Sequence, residues 1–196
     1  MFNEKKCKEA VKLLLESFGE DINREGLKET PRRVAGYWKE LLEGNNYTNE
    51  EIAKKYSKEF EVSSNPLVVK EIKNVFSHCE HHLALMYNMK VVVAYLPVEI
   101  DENKYKVIGL SKIPRIVDMC AKRLQLQEKL AEDISECITL ATGSEDIYVN
   151  IVADHACVSA RGAKSDGFTD VTSLKGRFLT NSDLRNEVER KINIRK

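Results

Sequence analysis

Met89-Lys90-Val91-Val92-Val93-Ala94-Tyr95-Leu96 is a run of β-branched, aromatic and aliphatic side chains with one charge near its start. Such residues fit a pleated surface better than a helix, so the run reads as a strand. Leu67 to Phe76 reads the same way, and between the two lies Cys79-Glu80-His81-His82. Downstream, Ile147 to Ala153 is a third extended run, and the chain reads as extended again over Cys157 to Ala160 and Phe168 to Leu174, with a glycine-containing loop between. Two helices separate the second run from the third. Ser111 caps one that carries Ile113, Ile116, Val117 and Cys120; the other runs from about Leu126 through Leu130, Ile134, Cys137 and Ile138 to Gly143. Ser182 to Ile192 is a short charged helix.

Towards the N-terminus the period is helical. Ala10, Val11, Leu14, Leu15 and Phe18 recur at helix spacing and Gly19 stops them. Thr30 and Pro31 then suit a second helix start, whose apolar stripe is Val34, Tyr37, Trp38, Leu41 and Leu42, ending at Gly44. Asn45 to Pro66 is a polar connector with one short helix over Asn49–Tyr56. These elements predict an α+β protein with a mainly antiparallel sheet and helices on one face. They divide the chain into an N-terminal helical region, 1–65, and a main domain, 66–196.

Lys plus Arg and Asp plus Glu both number 31, so no net field draws the protein to nucleic acid or an anionic membrane. Any anion site must be local. No run of 18 apolar residues occurs, and Met-Phe-Asn-Glu-Lys-Lys opens without an apolar signal region, so the expectation is a soluble, cytoplasmic protein. In that compartment five cysteines, an odd set without framework spacing, argue for free thiols or metal ligands.

All four histidines fall in or beside two short stretches, His78 to His82 and His155-Ala156-Cys157. Cys79 and His82, spaced Cys-x2-His, make half of a zinc site, and Cys157 completes three ligands if the sheet brings the stretches together. Three protein ligands leave a fourth position open for water, the mark of a hydrolytic rather than a structural zinc. His81 and His155 are then spare imidazoles suited to moving protons. The plainer alternative is that Cys157 is a buried strand cysteine and the first stretch binds metal only adventitiously. Neither His-Glu-x-x-His nor the His-x-Glu with Pro-Cys-x-x-Cys of nucleobase deaminases is present. Ser111-Lys112 at a helix start, Arg115, Arg161 and Arg33 are candidates for an anion cradle, though each singly reads as a solvated charge.

Four ordered segments carry a resemblance: Cys79-Glu-His-His82, Val107-Ile-Gly-Leu-Ser-Lys112, Arg123-Leu-Gln-Leu-Gln-Glu-Lys-Leu130 and His155-Ala-Cys-Val-Ser-Ala-Arg-Gly162. With Glu25 to Ala35 upstream, they resemble the core motifs of the GTP cyclohydrolase I family. The resemblance implies a tunnelling fold, an antiparallel four-stranded sheet with two helices on one face in the order ββααββ, after an N-terminal helical region. It further implies homo-oligomers, a decamer of two pentamers with active sites between subunits. By the same resemblance Cys79, His82 and Cys157 hold Zn2+, water attacks C8 of the guanine of GTP, His155 protonates N7, and His81 assists. Glu128 reads guanine with Gln127 beside it, Ser111 meets the ribose, and Lys112, Arg115, Arg161 and Arg33 hold the triphosphate. The implied product is 7,8-dihydroneopterin triphosphate, with C8 lost as formate. The competing reading is a zinc-containing tunnelling-fold module that binds a purine or pterin without turnover.

The chain departs from that family's pattern after His82, where Leu-Ala-Leu-Met-Tyr-Asn-Met-Lys is one residue longer than usual before Tyr95. Asn88, which tolerates left-handed backbone, stands in for a turn glycine there. Glu80 has no role that follows from the sequence.

Overall fold

The structure, a computed structural model, describes residues 2–194. Its centre is a five-stranded sheet built from β2 (Val68–Cys79), β3 (Ala84–Tyr95), β7 (Ile147–His155) and β8 (Thr169–Leu174), each antiparallel to the next, with the two-residue β6 (Leu124–Gln125) parallel to the end of β2. The expected runs at Leu67 to Phe76, Met89 to Leu96 and Ile147 to Ala153 are these strands, lengthened. β2 reaches Cys79 and β7 reaches His155, so both histidine-bearing stretches end at one edge of the sheet.

Helices α4 (Lys112–Ala121) and α5 (Gln127–Thr142) cover one face. Val91, Val93, Tyr95, Val149 and Ile151 point to them and pack with Ile113, Ile116, Leu130, Ile134 and Ile138, all fully buried. The alternate residues Val92, Ala94 and Tyr148 face the other way, under Phe178 of α7 (Arg177–Thr180) and Val188 of α8 (Ser182–Asn193). Covering on both faces explains why β3 reads as a continuous apolar run and does not alternate. The two helices between the strand pairs reproduce the ββααββ order.

Cys157 to Ala160 is not extended. It forms a helical turn, α6 (Ala156–Ser159), because Ala160 N–H donates to the Ala156 carbonyl at 3.0 Å and Ser159 Oγ donates to the His155 carbonyl at 3.1 Å. A second, three-stranded sheet was not foreseen: β1 (Glu59–Val62), β5 (Lys104–Ile108) and β4 (Val98–Asp101). Its signal was the alternation of Glu-Phe-Glu-Val inside the polar connector, and Asn103, at φ 56°, in the β4–β5 turn. Ile108 N–H donates to the buried Tyr95 hydroxyl at 2.9 Å, which ties this sheet to β3.

The N-terminal helices α1 (Glu4–Ser17) and α2 (Thr30–Leu41) pack on each other, and α3 (Asn49–Tyr56) buries Ile52 and Ala53 in the main core. α3 starts with a full capping box, Thr48 with Glu51. Between α2 and α3, a 3-10 turn over Glu43–Asn46 fits against the end of α4 only because residue 44 is glycine. A Cβ there would lie 2.2 Å from the Met119 carbonyl oxygen and 2.8 Å from that of Lys122, and backbone cannot yield cheaply. Gly44→Ala is therefore expected to cost roughly 1–3 kcal/mol, the usual range for overpacking. Urea denaturation checks it, and an unchanged midpoint would show that the turn shifts freely.

Candidate functional site

Strand register gathers the site. Cys79 ends β2 opposite Ala84, and Met86, two residues further along β3, pairs with His155 at the end of β7. Cys157 follows in α6. The ligand atoms of Cys79, His155 and Cys157 all lie within 4.8 Å of one another, the cluster of this kind among the described residues. Donors on one tetrahedral zinc lie about 3.5–3.8 Å apart, given bonds of about 2.0–2.3 Å. Two thiols and an imidazole at this spacing therefore fit a zinc ion after small adjustments. Burial, then the neighbouring Cys79, push the Cys157 thiol up, and Arg161 only partly opposes them, so without a cation this thiol stays protonated. Two thiolates side by side need a cation between them.

His155 is held by Gln127, the first residue of α5. The Gln127 amide nitrogen donates to the carbonyls of Ile151 (2.8 Å) and Thr169 (3.0 Å), which orients the amide and leaves Oε1 to accept from His155 Nε2 at 2.7 Å. The neutral ring thus carries its proton on Nε2 and its lone pair on Nδ1. Burial holds the His155 pKa below its ordinary value, while Glu128 and Asp154 nearby draw it back up. Gln127 is buried, so it positions the histidine and is not open to a ligand; Glu128, the next residue, is exposed.

His82 stands apart from the cluster. It is exposed in the turn 80–83, and its Nε2 accepts from Arg161 Nη1 at 2.9 Å. His81 and Glu80 are exposed in the same turn, and the Glu80 N–H donates to the Gln125 carbonyl at 3.3 Å, extending the β2–β6 pairing. Asn88 has φ 49°, as expected of a stand-in for glycine, but in a bulge and not at the turn. β3 spends three steps from Met86 to Met89 where β2 spends two, so the extra residue is absorbed there, and Asn88 Nδ2 donates to Asp154 at 2.7 Å. The left-handed residue in the turn itself is Leu83, at φ 52°.

His78, beside Cys79, is not on the surface. It is 3% exposed, accepts or donates at 2.7 Å with the Tyr37 hydroxyl, and packs edge-on against Trp38. Burial lowers its pKa, as suits a neutral histidine that fastens α2 to the sheet. Arg33 lies one helical turn before Tyr37 and is exposed.

Ser111, Lys112 and Arg115 are elsewhere. Ile108 bonds to Tyr95, which pairs with Val68 and Ile147 at the other end of the sheet. From Tyr95 to Met86 the strand covers nine steps, about 30 Å at 3.3 Å each. Within one chain these three residues do not approach the cysteines.

A sequence profile of the family described as GTP cyclohydrolase I matches residues 7–193. The chain belongs to the GTP cyclohydrolase I family. Proteins named GTP cyclohydrolase 1 are similar to it across almost their whole length: one from Ruminiclostridium cellulolyticum is 47% identical over 194 residues, covering 95% of this chain and 96% of its own. One from Clostridium botulinum (strain Kyoto / Type A2) is 46% identical over 191 residues, covering 94% of each. A solved dihydroneopterin aldolase from Burkholderia, bound to guanine, matches 56% of this chain and 93% of its own, at 15% identity and a TM-score of 0.36. No helix among the described residues is long and apolar enough to cross a membrane.

For a GTP cyclohydrolase I chain, Gln127 is a residue whose place the sequence motif did not disclose. Gln127→Leu takes this partner from the carbonyls of Ile151 and Thr169 and from the His155 N–H, at an expected cost of roughly 1–3 kcal/mol. Urea denaturation of the metal-free protein measures it; a loss well under 1 kcal/mol would mean water replaces the amide.

Proposed function

We infer that this protein is a zinc-dependent GTP cyclohydrolase I: it opens the imidazole ring of GTP, releases C8 as formate and recloses the product as 7,8-dihydroneopterin triphosphate. The observation that carries this reading is the convergence of Cys79, Cys157 and His155 at one sheet edge in a chain of this family.

Cys79 and Cys157 are the proposed thiolate ligands of Zn2+, with His82 as the third once its turn brings it in, which leaves the His155 imidazole beside the ion and not bound to it. Bound there, the ion supplies a Lewis acid that makes water nucleophilic near neutral pH. His155 then has the role of proton carrier. Its Nε2 is committed to Gln127, so Nδ1 faces the reacting ring; protonated there to the imidazolium, it delivers that proton to guanine N7 and returns to the neutral ring. Burial lowers its pKa, which favours giving that proton up, while Glu128 and Asp154 help the ring to take one on again. His81, exposed beside the cluster, is the proposed second proton carrier.

Glu128 accepts from N1–H and the exocyclic amine of guanine, a donor pair that adenine lacks. Its exposed position in the first turn of α5, next to the residue that holds His155, supports this. Arg161 and Arg33 lie on the cysteine side and suit the triphosphate. Ser111, Lys112 and Arg115, at the start of α4 and away from the cysteines, serve a ribose and triphosphate only if a second subunit brings its α4 to this edge. That distance supports a site shared between subunits, and we propose the closed assembly of two pentamers, in the cytoplasm.

Protein loaded with zinc and given GTP is expected to yield formate, and neopterin fluorescence after oxidation and dephosphorylation, and to lose both with a chelator. Binding of GTP without formate would leave only the non-catalytic module. Cys157→Ala is expected to lose zinc and turnover together; undiminished zinc by elemental analysis would remove Cys157 from the ligand set. Glu128→Gln is expected to raise KM for GTP roughly tenfold or more while zinc stays, since a charged acceptor is lost. An unaltered KM and kcat would contradict its guanine role.

A further inference from the structure

We propose that Arg161 is a latch that keeps His82 away from the metal until an anion claims the arginine, so that anion and metal binding reinforce each other. The inference rests on the zinc reading above and concerns how its third ligand is delivered.

A guanidinium has only donors, so in the bond from Arg161 Nη1 to His82 Nε2, at 2.9 Å, the imidazole supplies its single lone pair from Nε2 and carries its proton on Nδ1. This bond excludes a metal whichever ring nitrogen the metal takes. A metal on Nε2 needs the same lone pair. A metal on Nδ1 sends the proton to Nε2, where it meets the N–H of Arg161 head-on. His82 can therefore serve Arg161 or a cation, never both.

A second, independent feature sits in the same turn. Leu83 holds φ 52°, a left-handed conformation that a bulky side chain without a hydrogen-bonding group rarely adopts. The turn that presents His82 to Arg161 is thus sterically disfavoured, and releasing His82 allows Leu83 to relax. Arg161 is itself exposed in the stretch between α6 and β8, free to be drawn to a phosphate. An anion that engages the guanidinium takes away what holds His82 out. By linkage, bound metal then favours the anion by the same factor.

Co2+ titrated into metal-free protein tests this, with thiolate-to-cobalt charge-transfer absorption as the readout. Sulfate is the anion probe and chloride at equal ionic strength the control. The wild type is expected to bind Co2+ about tenfold more tightly in sulfate. Arg161→Gln is expected to bind tightly in both salts, and His82→Ala weakly in both. Losing the Arg161 charge changes cation binding by itself and shifts the Cys157 thiol, but those effects persist when His82 is absent. The combined variant Arg161→Gln with His82→Ala therefore isolates the latch, and a coupling of less than about twofold between the two substitutions overturns it. So does a wild type indifferent to sulfate. Charge-transfer absorption without these dependences removes the latch and leaves the metal site standing; its absence from the wild type removes both.

Discussion

The pairing of β3 with β2 on one side and β7 on the other is the constraint on which the site depends. Cys79 and His155 belong to different strands and meet only because β3 places Ala84 and Met86 between them. Side chains in a strand alternate with period two, so a one-residue slip of either pairing would turn Cys79 or His155 to the opposite face. The burial of Val91, Val93 and Tyr95 against α4 and α5, and of Val92 and Ala94 under α7 and α8, penalises such a slip along the whole strand. The bulge at Asn88 matters for the same reason. It takes up an extra residue within three steps and returns the strand to register before Lys90, so the insertion near the site leaves the core pattern intact.

A second anchor fixes the helix that carries Gln127 and Glu128. Arg123, just ahead of β6, donates to Asp133 and Asn49, both at 2.8 Å, and to the carbonyl of Tyr47 at 2.9 Å. Lys129 also reaches Asp133. Burial alone would raise the Asp133 carboxyl, but Lys129, Asn49 and Arg123 outweigh it and hold the group below the ordinary carboxylate range. A charge buried this well is costly unless fully paired, so removing one partner is far more damaging than the pair is stabilising. The network joins Tyr47 and the first residue of α3 to both ends of the segment from Arg123 to Asp133. It makes the start of α3 a support of the helix that carries Gln127 and Glu128.

Much of this was legible because burial leaves periodic traces. The long strands, α4, α5 and α8 show in runs and helical stripes, and the two clustered histidine stretches mark the site. The features that escaped depend on contacts distant in sequence. β1 is four residues with exposed glutamates, and nothing local distinguishes it from a polar loop until β5 pairs with it. Residues 157–160 have strand-like composition, yet Ser159 turns back on the His155 carbonyl and winds them into α6. Gln127 stands beside the exposed Glu128 in sequence, and only the carbonyls of Ile151 and Thr169 reveal that it faces inwards. The position of His82 follows from Arg161, which is 79 residues away.

The two thiols explain why such a site assembles before any cation arrives. Cys79 is 4% exposed and Cys157 sits at the start of a helical turn beside it, with burial raising the Cys157 thiol further. While both are protonated, the pair is merely apolar and packs against the sheet edge without a penalty for buried charge. A divalent cation must displace a proton from each thiol it binds, so its affinity is coupled to pH and rises as pH increases towards the raised value of Cys157. The fold thus holds the thiols in place through packing, and the charge appears only when a cation is present to neutralise it. That division lets strand register, set by the apolar core on both faces of the sheet, determine the geometry of a centre whose own atoms repel one another when ionised.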